Sequence, residues 1–215
     1  MKRLLVILGF AALCATPAFA QQHNAADMDK MQAGGTLPAG WNVRLDSGAT
    51  TANGVSVMPM GTGIHFKTGP AGIYYRTADT KSGAYEVKAS FNQVEPSAHP
   101  EAYGLVLGGS DLAGAGQKYT YFLVRQDGKF MISRRDGAKV TAVVPWTDNA
   151  AVKKTDATTK GNNALSIVVA ADKVRFLVNG TEVSSQAASA VDASGIAGLR
   201  VNHNLNVHID GFGVK

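Results

Sequence analysis

Between residues 119 and 183 apolar and polar side chains alternate along run after run of chain, and the runs are punctuated by Asp127-Gly128, Asp136-Gly137 and Asn179-Gly180. A period of two sends successive side chains to opposite faces, so each run presents one apolar side and one wet side. Tight hairpin loops need positive φ at their central residues, which Asn, Asp and Gly adopt at least cost. Each of the three pairs therefore reads as a two-residue loop joining antiparallel strands.

The same alternation fills the rest of the chain. Strands are expected at 41–45, 54–57, 63–67, 72–76, 84–94, 103–107, 118–126, 129–134, 139–144, 164–170, 173–178, 181–185, 198–202 and 206–215. In the fifth of these, Tyr85, Val87, Ala89 and Phe91 face one way while Glu86, Lys88, Ser90 and Asn92 face the other. Helix is expected only as a turn or two within 148–159. So many short strands, each with one apolar side to cover, predict an all-β fold: a two-sheet antiparallel jelly-roll sandwich.

The first twenty residues follow a different grammar. Lys2 and Arg3 precede an apolar stretch at 4–13 and the small-x-small site Ala18-Phe19-Ala20, the order of a secretory signal cleaved after Ala20. The stretch is too short for a permanent membrane helix, and no later run is long enough to make a transmembrane segment. Residues 21–36 read as a flexible leader and 37–215 as one sandwich domain, in a protein expected to be periplasmic or secreted. A lipoprotein reading through Cys14 is disfavoured by the bulky Leu13 before it. With Cys14 removed, the mature chain has neither a disulfide nor a thiol nucleophile.

Loss of Lys2 and Arg3 leaves 19 basic residues against 16 acidic ones, a net charge of +3. The basic residues alternate with apolar ones as on solvated strand faces, with no basic stripe interleaved with aromatics, so nucleic acid is not an expected partner.

Four segments carry a resemblance: residues 37–46 (LPAGWNVRLD), 102–109 (AYGLVLGG), 118–130 (KYTYFLVRQDGKF) and 163–169 (NALSIVV). In that order they resemble the concanavalin A-like lectin/glucanase superfamily. Residues 178–183 and 207–214 resemble the endings of laminin G-like and DUF1080-like members. The resemblance implies two curved sheets of six or seven strands with a concave face, on which many members bind or cleave polysaccharide. No cofactor is expected; the resemblance leaves room for a structural calcium ion, to which Asp111 or Asp210 would contribute.

Retaining glycosidases of this fold carry paired acids in a run such as Glu-x-Asp-x-x-Glu, so that nucleophile and acid project from one face. No such run exists here; carboxylates from Asp46 to Asp210 are scattered, and no catalytic residue is assigned. Sugar binding asks for flat aromatic faces beside hydrogen-bonding groups. Tyr119, Tyr121 and Arg125 alternate along one strand and project together, with Tyr103, Trp146, Arg134 and His203 as expected neighbours. His203, His208 and Asp210 do not share a face as metal ligands would, and His23, Met28, Met31, Met58 and Met60 lack the fixed geometry of a copper site. The expected function is non-catalytic binding of carbohydrate or a cell-envelope glycan, the alternatives being a glycoside hydrolase-like enzyme and a structural or protein-interaction module.

Overall fold

The computed structural model describes residues 29–215. The expected signal at 1–20, Cys14, His23 and Met28 lie outside the described residues.

Two seven-stranded sheets make the fold. Sheet one runs β1 (Asn42–Leu45), β4 (Gly72–Lys81), β13 (Gly195–Val201), β6 (Ala102–Ser110), β7 (Lys118–Arg125), β8 (Lys129–Asp136) and β9 (Lys139–Asp148). Sheet two runs β12 (Thr181–Ala187), β11 (Lys173–Val178), β10 (Asn162–Val169), β5 (Tyr85–Gln93), β14 (Asn206–Val214), β3 (Gly63–Thr68) and β2 (Val55–Met60). Every neighbouring pair is antiparallel. The architecture is the jelly-roll sandwich that the alternation predicts, with a strand at each of the fourteen expected places.

The alternation seals the space between the sheets. Leu105, Phe122, Ile132 and Leu199 of sheet one meet Phe66, Phe91, Ile167 and Phe176 of sheet two, all without solvent exposure. Phe122 bridges the layers, its ring centroid 6.3 Å from Phe130 and 5.3 Å from Phe176. Polar residues, Thr68, Gln93 and Asn163 among them, also take inward positions. The Asn163 amide donates to Tyr103 Oη (3.0 Å) and Lys153 O (3.0 Å), while its Oδ1 accepts from Lys153 N (2.8 Å) and Asn179 Nδ2 (3.1 Å). That satisfies a buried side chain that would otherwise be costly.

The turns divide by chemistry. Asn179 and Gly180 both have positive φ, +52° and +80°, and form the expected two-residue loop. At the other two sites only the glycine is left-handed. Gly128 closes a three-residue loop, its N–H bonded to Arg125 O at 3.1 Å, and the loop after β8 is Gly137-Ala138 rather than Asp136-Gly137. Asp127 is instead held by its salt bridge to Arg125, and Asp136 belongs to the strand.

Residues 149–161 form no helix. Asn149 Oδ1 accepts from Ala151 N (2.9 Å), a local turn that competes with helix, and Val152 is buried in the core. Among the described residues the only helical element is a 3₁₀ turn at Ala188–Ala190. Residues 29–36 run against the sandwich, where Lys30 N bonds Asn204 Oδ1 (2.7 Å) and Gln32 N bonds Gly54 O (3.1 Å).

Replacing Phe122 with Ala removes the ring that touches both layers, and is expected to cost about 3–5 kcal/mol in urea unfolding. A loss below about 1 kcal/mol would mean that the layers do not depend on this contact.

Candidate functional site

Because Tyr103, Leu105, Phe122, Val124, Phe130 and Ile132 point inward, the residues between them must line the other side of sheet one. That outer side carries Tyr119, Tyr121 and Arg125 on β7. In cross-strand register Tyr119 stands opposite Arg135, Tyr121 opposite Val106 and Ser133, and Arg125 opposite Lys129. Ile73, Tyr75, Val106, Leu112 and Tyr119 form a small second apolar cluster there, with Leu112 reaching it from the loop after β6. Tyr119 is thus buried, while Tyr121 at its edge, ring centroids 5.7 Å apart, is half-exposed.

Four arginines gather on this side. Arg200, only 9% exposed, binds Asp46 with both terminal nitrogens, at 2.5 and 2.6 Å, and gives its Nε–H to Asn202 at 3.0 Å. Such a forked pair is the geometry that keeps a buried guanidinium charged. Burial works against the charge of Arg200, but Asp46 more than offsets it. Burial likewise works to raise the Asp46 carboxyl, yet Arg200, with Arg135 and Arg44 further off, holds it below its ordinary value.

Arg44 and Arg135 come from β1 and β8. Both act on the Asp46 carboxylate. Arg44 Nη1 bonds Ala113 O (3.0 Å), Arg135 Nη1 bonds Gly137 O (3.3 Å), and the Arg135 guanidinium lies 6.0 Å from the Tyr119 ring centre. Burial raises the Tyr119 hydroxyl, with Arg200 and Arg135 pulling the other way.

The fourth arginine, Arg125, is fixed twice: its guanidinium lies 4.4 Å over the Trp146 ring and forms a forked pair with Asp127 at 2.8 and 2.8 Å. Tyr119, Tyr121, Arg125 and Trp146 are therefore brought together on one surface. The other expected site residues lie elsewhere.

Tyr103 is a core residue, sealed between the sheets and stacked 5.1 Å from Phe91; burial pushes its hydroxyl up to about 12. Its position on β6 differs by one from the outward residues, which sends it to the opposite side. Arg134, also one out of step, leaves from the rim and pairs with Asp192 at 2.5 Å. His203 lies at one end of the sandwich in a cavity of about 540 Å³ shared with Lys67, Glu95 and Glu101. There its Nε2 is 2.7 Å from Glu101 Oε1 and its Nδ1 3.3 Å from Asp29 Oδ1. The hydrogen bond to Glu101 is the main cause that lifts its pKa above the ordinary histidine value.

Asp111 sits in the loop after β6, and Asp210 lies on β14 of sheet two, bonded by Thr62 Oγ1 and Gly211 N (both 2.8 Å). Among the described residues no three His, Cys, Asp or Glu side chains gather as they would around a metal ion.

Arg44, Asp46, Arg135 and Arg200 were not expected at the site. Arg44 and Arg200 each sit one step from strand-core residues, as in Leu199-Arg200-Val201, and that spacing marks them as outward-facing; Arg135 has the charged neighbours Arg134 and Asp136 and no such mark. The pairing of residues 46 and 200 crosses the whole chain and has no local trace.

The fold, a two-sheet jelly-roll sandwich, is shared with solved structures. No protein-family model matches the sequence, and no curated protein does. Solved structures do. The chain is similar to a carbohydrate binding module, CBM66, from Bacillus subtilis, with a TM-score of 0.60 at 9% identity over 82% of this chain and 95% of that one. It is similar to alginate lyase A1-II′ of polysaccharide lyase family 7, at TM-score 0.56 and 12% identity over 82% and 94% of the two chains. It also resembles the exoplasmic/lumenal domain of VIP36 in its Ca²⁺/Man-bound form, at TM-score 0.56 and 8% identity over 87% and 88%.

Glu101→Gln is expected to lower the His203 titration midpoint, followed by NMR, toward the ordinary value near ~6.5. Because the folded value is raised, the pair's contribution to stability is complete below that ordinary value and is lost as pH rises through the higher one. A midpoint unchanged in the variant would show that Glu101 is not the cause.

Proposed function

We propose that this protein is an exported, non-catalytic sandwich that binds carbohydrate, or a glycan of the cell envelope, on the outer side of sheet one. The observation that carries the reading is that Arg125 is stacked on Trp146 on the same face that carries Tyr121 further along β7. Aromatic faces cover the apolar face of a pyranose, and a guanidinium supplies donors to its hydroxyls. Arg125 is already immobilised by Trp146 and Asp127, so little of its freedom is left to lose when a ligand arrives.

Two similar structures, a carbohydrate binding module and a Man-bound lumenal domain, carry the same fold, which supports the reading by analogy. The scattered carboxylates favour binding over hydrolysis. The charged, apolar, small-residue order of 1–20 favours export, and among the described residues no helix is long and apolar enough to cross a membrane.

On a glycan array the exported protein is expected to give discrete signals that Arg125→Ala or Trp146→Ala reduces at least about tenfold, without release of reducing ends. A wild type that holds no glycan defeats the reading; reducing ends released from a bound glycan would replace it with hydrolysis. N-terminal sequencing of protein from the periplasm or medium is expected to begin at Gln21.

A further inference from the structure

We infer that the ligand this face takes is an anionic saccharide, one bearing carboxylate or sulfate groups. The inference rests on the carbohydrate-binding reading above and adds the ligand's charge.

The face carries five cationic side chains, Arg44, Arg125, Arg135, Arg200 and Lys129, and three of them have a carboxylate. Arg200 has Asp46, Arg125 has Asp127, and Lys129 has Asp148 at 3.6 Å. Among the described residues Arg44 and Arg135 form no ion pair; each has one terminal nitrogen on a backbone carbonyl, and Arg135 also lies 6.0 Å from the Tyr119 ring centre. In both the Nε–H is shut away from solvent with no acceptor among the described residues. Across from Tyr121 on the same face, Ser133 is fully buried and its Oγ also lacks a partner.

A sheet that collects half-buried guanidinium groups and then leaves two without a counter-charge bears an energetic cost, since desolvated charge is favourable only when paired. The missing partner is a planar or tetrahedral oxyanion, which a guanidinium fork binds through two parallel hydrogen bonds. A neutral sugar hydroxyl leaves the charge uncompensated. Arg44 on β1 and Arg135 on β8 both face outward from sheet one, so the excess positive charge collects on that one face.

The test scores the array by ligand charge. Expected hits are glycans with uronate or sulfate groups, and for the best hit titration calorimetry should show affinity falling in roughly 1 M salt, where the screening length is about 3 Å. Arg44→Gln and Arg135→Gln should each weaken binding at least about tenfold. The same charge change at Arg175→Gln, on β11 of sheet two, should leave it unchanged.

A ligand-side comparison needs no variant. Methyl-esterifying a carboxylated hit, or desulfating a sulfated one, should weaken binding at least about tenfold, and whichever treatment acts identifies the anion. Hits confined to neutral glycans, or affinity indifferent to esterification, desulfation and both glutamine variants, would overturn the inference and leave the carbohydrate reading standing. No glycan bound at all would remove both.

Discussion

Two seven-stranded sheets with no disulfide between them stay together because apolar side chains from both fill the same dry interior. Phe122 reaching Phe176 across that interior is the contact that makes the arrangement concrete. Everything outside it is conditional on the seal. Once a strand's alternate residues are committed inward, their neighbours have only the outer surface, so the identity of the outer face is settled by the packing of the inner one.

Sheet one uses its outer face unlike an ordinary wet surface. A small apolar cluster lies under the loop after β6, and outward-facing arginines from β1, β8 and β13 share its side of the sheet. Arg200 tolerates near-complete burial because Asp46 matches its fork. Arg44 and Arg135 lack such a match and leave the face short of a second core.

Strand positions and which face a residue takes could be read from the sequence because both follow from period two. Turn geometry was less legible. Asp127-Gly128 and Asp136-Gly137 resemble Asn179-Gly180 as dipeptides, yet only the last has both residues left-handed, since Asp127 and Asp136 are claimed by a salt bridge and by the strand. The sharing of one face by Tyr119, Tyr121 and Arg125 was legible because all three lie on one strand at even spacing. Tyr103 was misplaced because its neighbours in 102–109 are apolar on both sides, so alternation gave no sign of direction. The Arg200–Asp46 pair and the Glu101–His203 pair join distant segments, and only the folded topology brings them together.

The phenols locked inside the sandwich have a consequence of their own. Burial pushes Tyr85 and Tyr103 up to about 12, and Tyr74 higher still. In alkali an unfolded chain would ionise them near ~10, so the native state loses its advantage as the medium passes that point. Phenolate absorbs light that phenol does not, which gives the molecule an internal optical gauge of whether its two layers are still closed.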